Sequence, residues 1–196
     1  MKKFAAVAFA LTLPFLMFSA SASELTDKCD NCHGKNGNSE DGKVPNIAGY
    51  SSTYLEDTLN AYKEGDRPGI KYKPKKGDET DMAEIAKKLS DDDIVAIAKH
   101  YSEQTFQRHE QSFDAAMAKK GQKKFNKKCD KCHADGGTDP DDDAGLLLGQ
   151  WRPYLEQQFK AFSSGDREMP KKMKKKFKKL SDKQKANIIE YLVSGK

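Results

Sequence analysis

Cys29-Asp30-Asn31-Cys32-His33 and Cys129-Asp130-Lys131-Cys132-His133 decide how this chain is read. The pattern Cys-x-x-Cys-His occurs twice, one hundred residues apart. It is the attachment signature of c-type haem. Two thiols one short turn apart can add to the two vinyl groups of one haem, and the adjacent His is then carried beneath the iron. The two motifs use all 4 cysteines and two of the 4 histidines. Cys29, Cys32, Cys129 and Cys132 are therefore expected to hold two covalent haem c groups, with His33 and His133 as iron ligands.

Other uses of four cysteines fit less well. A zinc ribbon needs a second Cys pair roughly 15–20 residues after the first, or a His pair downstream. A redox Cys-x-x-Cys of the thioredoxin kind belongs in a βαβ setting, and nothing here alternates like a strand. Structural disulfides would not explain a His at the same place twice.

Residues 1–22 read as a secretory signal. Lys2 and Lys3 are basic, residues 4–18 are apolar, and Ala20-Ser21-Ala22 is a small-residue cleavage site. The apolar run is interrupted by Pro14 and falls short of the roughly 18–20 residues of a membrane span. Cleavage before Ser23 is expected, followed by periplasmic residence without stable membrane insertion. Residues 23–28 alone would then precede Cys29.

The apolar fraction is 36% of residues even with this segment counted. Two domains of this polarity bury little surface unaided. A covalently held haem, large and flat, supplies the missing core, as metals and disulfides do in other small domains.

The duplication extends beyond the motifs. Tyr54-Leu55-Glu56 matches Tyr154-Leu155-Glu156, and Gly65-Asp66-Arg67 matches Gly165-Asp166-Arg167. The offset then falls from 100 to 91, where Leu89-Ser90-Asp91 matches Leu180-Ser181-Asp182. The first half thus carries a nine-residue insertion, and residues 68–77 have the composition of that loop. One folding unit is used twice. Residues 23–103 form the first, 104–110 a linker, and 111–196 the second.

Both units read as helical. Phe113, Met117, Gly121 and Phe125 recur every four residues. Residues 54–63 and 154–162 suit mid-domain helices. Ser90 and Ser181 are good N-caps for closing helices with apolar faces. The expected architecture is all-α.

The sixth iron position calls for a sulfur ligand, which raises the potential and suits electron transfer. Met82 lies seven residues before Leu89; Met173 lies seven before Leu180. The repeat therefore selects Met82 and Met173, with Met169 in reserve. Met169, Met173, Phe177 and Leu180 also read as an ordinary amphipathic stripe. His100 on the closing helix and His109 in the linker are expected to pack rather than ligate.

Charge separates the halves. Residues 23–104 carry 12 basic and 17 acidic side chains, a net of −5; residues 105–196 carry 21 and 13, a net of +8. The lysines of residues 171–179 form the densest basic patch, either a solvated face or a docking surface for an acidic redox partner. Nucleic acid is not expected of an exported haem protein.

With these residues in hand, each half resembles a class I cytochrome c domain, and the pair resembles the dihaem cytochromes c4. The segment Gly149-Gln150-Trp151 with Pro153-Tyr154-Leu155, and Lys171-Lys172-Met173, more closely resemble the dihaem cytochrome subunit of flavocytochrome c sulfide dehydrogenase. The resemblance implies axial pairs His33–Met82 and His133–Met173. It also implies that a Pro after the motif offers its carbonyl to the proximal His. Pro45 fits this role; its counterpart is Gly145, so the second haem needs another acceptor. Class I domains open with a longer helix than residues 23–28 allow. The resemblance further implies a flavoprotein sulfide dehydrogenase subunit as electron donor and a further redox acceptor, with no catalytic site on this chain. The alternative is a free c4-like shuttle between respiratory complexes. A dihaem peroxidase would need an open iron site, against which the two Met candidates argue.

Overall fold

The computed structural model describes residues 19–196, so most of the expected leader, residues 1–18, lies outside the described residues. Among the described residues eight α-helices follow one another: α1 Ser19–His33, α2 Ser52–Glu64, α3 Met82–Ala86, α4 Asp91–Ser102, α5 Ala115–Lys128, α6 Arg152–Ser164, α7 Lys171–Phe177 and α8 Asp182–Ser194. No strand occurs among the described residues; Tyr72 and Thr80 form an isolated antiparallel bridge. The all-α expectation holds.

Local chemistry sets the helix ends, and it does so twice. Ser90 and Ser181 close capping boxes with Asp93 and Gln184 at the starts of α4 and α8. Helices α2 and α6, each 13 residues long, stop at Gly65 (φ 90°) and Gly165 (φ 88°), left-handed positions that cost glycine little. Phe113 precedes α5 rather than joining it, because Asp114 caps that helix through the backbone N–H of Met117.

The second core gathers Phe125, Leu148, Leu155, Phe177, Leu180, Ile188 and Leu192. Its tightest helix crossing is α5 on α8, where a Cβ on Gly121 would overlap the carbonyl oxygen of Asn187. Phe125 then packs 5.5 Å, ring to ring, from Tyr191. The first core gathers Tyr50, Leu55, Leu59, Ile94, Ile97 and Tyr101. Leu146, from the second half, is a member of it.

Helix α1 runs across the expected cleavage site. It begins at Ser19, takes in the last four residues assigned to the leader, and continues through the whole first motif to His33. The hydroxyl of Tyr101 pins it to α4 by donating to Asp30 (2.7 Å) and to the carbonyl of Thr26 (3.2 Å). In the second half α5 ends at Lys128, and the motif follows as a turn.

The linker is docked along its length. Asn38 donates to the Thr105 carbonyl at 3.0 Å and accepts from the Gln107 amide at 2.8 Å. Asn46 donates to the Gln107 carbonyl at 2.7 Å. His109 stacks on Trp151 with centroids 3.9 Å apart. His100 packs edge-on against Tyr101 at 4.9 Å.

Candidate haem centres and the junction between them

Each motif presents two free thiols and an imidazole, buried at His33 and half-buried at His133. All four cysteines are unpaired with one another. Burial pushes the Cys29 and Cys129 thiols up to about 11, so both are neutral. At Cys129 the charge of nearby Lys176 works against burial, which places the α7 lysine beside the second motif.

His33 is 7% exposed. Its Nδ1–H donates to the carbonyl of Pro45 at 3.0 Å, as the resemblance implies, leaving Nε2 for a metal. Burial lowers the pKa of His33 and of His133, favouring the neutral ring that ligates iron. The two histidines differ in support. His133 Nδ1 is buried and has no hydrogen-bond partner among the described residues. No backbone acceptor stands in for Pro45 among the described residues.

Met82 is the first residue of α3, partly buried against the first core. Met173 is the third residue of α7. Both helices end alike: Lys87 N–H bonds the Ala83 carbonyl, and Lys178 N–H bonds that of Lys174. Met82 and Met173 therefore share a register relative to their helix ends. Met169 lies before α7 and packs against the second core. Register singles out Met173, and core contact singles out Met169.

Between the halves lies a polar junction that sequence reasoning did not foresee. Gln150 is 0% exposed. Its Nε2 donates to the Asn46 carbonyl (3.0 Å) and to the Tyr50 hydroxyl (3.2 Å), while its Oε1 accepts from the Asn46 amide (3.0 Å). Trp151 Nε1 donates to the Ser39 carbonyl at 2.9 Å. The Gly-Gln-Trp segment thus has a structural task. The one sequence signal was Gln150 standing where the repeat has Tyr50.

The repeated Gly-Asp-Arg segments meet here as well. Arg67 is 6% exposed, 3.3 Å from both the Tyr154 hydroxyl and Gln158 Oε1, and its guanidinium lies over the Tyr62 ring. Arg167 donates to the same Gln158 oxygen. Neither arginine has a carboxylate ion partner among the described residues. A buried cation without a counter-ion is costly, and a cofactor bearing carboxylates fits that deficit. The paired thiols, the neutral imidazoles and these arginines all suit haem.

Residues 19–102 match the family described as Cytochrome c, and residues 116–192 match Cytochrome C oxidase, cbb3-type, subunit III. Cytochrome c4 of Pseudomonas stutzeri superposes with a TM-score of 0.71 at 28% identity, covering 89% of this chain and 96% of that one. Cytochrome c4 of Acidithiobacillus ferrooxidans gives 0.68 at 27%, covering 86% and 99%. Each half is a cytochrome c domain, and the pair is of the cytochrome c4 type. As a dihaem cytochrome c, the chain carries two covalent haem c groups. Cytochrome c-554(548) of Halomonas halodenitrificans is 37% identical over 51 residues, which span 26% of this chain and 61% of that relative. The thiosulfate dehydrogenase TsdBA of Marichromatium purpuratum shares the fold, at a TM-score of 0.67 and 22% identity, over 84% of this chain and 36% of that one. No helix among the described residues is long and apolar enough to cross a membrane.

Proposed function

We propose that this cytochrome carries single electrons between redox partners on the periplasmic side of a membrane. Bound haem supplies the one-electron chemistry. Cys29 and Cys32 would tether the first group, and Cys129 and Cys132 the second. His33 with Met82 and His133 with Met173 would occupy the axial positions, and Arg67 with Arg167 would neutralise carboxylates at the junction. The observation that carries this reading is the duplication itself: two motifs with matched Met register, fused through one buried junction. A six-coordinate iron with a sulfur ligand is closed to small molecules and poised for electron exchange.

For the donor, the likeness to cytochrome c4 over nearly the full length of those chains favours a free shuttle. A flavoprotein sulfide dehydrogenase subunit is the second reading. It rests on the Gly-Gln-Trp segment, whose presence the domain junction already explains. Purification of the native protein at low and moderate salt separates the two. A shuttle elutes alone. A subunit brings a flavoprotein with it and shows sulfide-dependent haem reduction.

The ligation is tested by carbon monoxide binding. Met82→Ala and Met173→Ala should each open one haem to the gas, and Met169→Ala should open neither. Opening by Met169→Ala alone in the second domain would refute the register argument.

A further inference from the structure

The rim between the haem motif and the Met-bearing turn differs sharply between the two domains. In the first, the inserted loop closes it. Asn31, inside the motif, donates from Nδ2 to the Lys76 carbonyl at 2.8 Å. Tyr72 pairs with Thr80 through two backbone bonds of 2.8 and 3.0 Å, and its hydroxyl donates to Asp41 at 2.8 Å. Lys71 reaches Asp81 at 3.1 Å and Glu84 at 2.6 Å, on either side of Met82. Pro74 at the loop centre is buried. Of the other loop lysines, Lys73 lies 3.9 Å from Asp78 and Lys75 3.9 Å from Glu40. The loop's positive charge is largely met within the domain.

The second rim has no such loop, because the stretch from Arg167 to Met173 is nine residues shorter than that from Arg67 to Met82. Lys131, at the position of Asn31, is exposed. Helix α7 carries Lys171, Lys172, Lys174, Lys175 and Lys176 on its exposed surface, none ion-paired among the described residues. Helix stability does not account for this arrangement. Lys171 and Lys172 sit at the positive end of the helix dipole, and Lys171/Lys175 and Lys172/Lys176 are repulsive i,i+4 pairs. A solvated face needs only some charge, whereas this one concentrates a single sign at a cost to its own helix. The buried Phe177 leaves α7 without an apolar face to insert into lipid.

We propose that the rim formed by Lys131 and the α7 lysines is the docking surface for an acidic protein partner, and that this cytochrome exchanges electrons with that partner through its second domain. The proposal rests on the electron-carrier reading. It adds a direction: the domain of net charge −5 repels such a partner, and the domain of net charge +8 steers it in.

The test is stopped-flow reduction of the dihaem protein by an acidic [2Fe–2S] ferredoxin, followed in the haem absorbance over a range of salt. Lys174→Glu with Lys175→Glu and Lys176→Glu should slow the second-order rate at low salt by about tenfold or more and flatten its salt dependence. Lys73→Glu with Lys75→Glu and Lys76→Glu, on the first-domain loop, should change it by less than about twofold. An α7 effect no larger than the loop effect overturns the docking assignment alone. Dithionite should reduce both haems reversibly in every variant; failure there removes the electron-carrier reading and the docking site with it. Co-sedimentation with phosphatidylglycerol vesicles, with ferredoxin rates unaffected by the α7 reversal, would assign the lysines to a membrane surface instead and overturn the proposal.

Discussion

Replacing Gln150 by Ala should loosen the two domains from one another. The side chain and its partner Asn46 are both 0% exposed. Truncation removes the bonds from Gln150 Nε2 to the Asn46 carbonyl and the Tyr50 hydroxyl, and those from the Asn46 and Trp151 amides to Oε1. The Asn46 amide and carbonyl would then be stranded in a site closed to water. An unsatisfied buried group costs about 1–3 kcal/mol, so two of them amount to roughly 2–6 kcal/mol. For a chain of this length, each kcal/mol shifts the melting point by about 2–4 °C, which predicts a fall of roughly 4–24 °C. The assay is thermal unfolding of the holoprotein by far-ultraviolet circular dichroism, with the haem Soret band recorded in parallel. The junction also couples the halves, so the variant should unfold in two steps where the parent unfolds in one. A single transition within about 2 °C of the parent would refute the reasoning: the junction bonds would then be incidental to the packing of Leu146 into the first core.

Gly121→Ala should destabilise the second domain, although the same change in an open helix gains about 1 kcal/mol, because the new Cβ meets the Asn187 carbonyl; a variant that melts later than the parent would overturn the α5–α8 crossing. Glu190 binds Arg152 through both oxygens, at 2.7 and 2.9 Å, and that partner chiefly holds its carboxyl below the ordinary 4.5. A depressed folded-state pKa stabilises above the unfolded value and is lost as pH falls through the folded one, so the gap in urea midpoint between parent and Glu190→Gln should be full at neutral pH and shrink below 4.5; a gap constant with pH would show that Arg152 does not act through charge. The haem of the second domain should have the higher potential, since His33, with its bond to the Pro45 carbonyl, would be the more basic ligand, and His133 Nδ1 has no partner among the described residues. Spectroelectrochemistry of Cys29→Ser with Cys32→Ser, which keeps only the second haem, should show the higher wave, and a lower one would count against this account.

How much of this was legible in the sequence depends on whether the cause was local. The two motifs, the Ser90 and Ser181 caps and the Gly65 and Gly165 stops are short-range chemistry, repeated at fixed offsets, and the helices follow from them. Helix α1 continues from Ser19 through the expected cleavage site and the whole first motif, a continuity that no local signal announces. The inserted loop was visible as composition and length, but not its purpose. Nothing near residue 72 announces that Tyr72 will reach Asp41, thirty-one residues earlier. The junction was equally hidden. Gln150 and Asn46 are 104 positions apart, and each alone reads as a surface polar residue.

The same junction explains why the duplicated units are no longer equivalent around their irons. Pro45 and Gly145 occupy corresponding positions, and a simple copy would keep the proline. In this fold a Cβ at residue 145 would lie 2.8 Å from the Tyr54 hydroxyl and 3.3 Å from the Tyr50 ring, both in the other domain. Tyr50 is itself held there by donating to the Leu146 carbonyl at 2.9 Å. Packing two domains against each other therefore excludes a proline ring from the second, while the partnerless His133 stands where His33 is anchored. The insertion breaks the symmetry a second time, closing the first rim and leaving the second open. Inequality between the two centres follows from how the units fit together, not from their motifs, which differ only at one intervening residue.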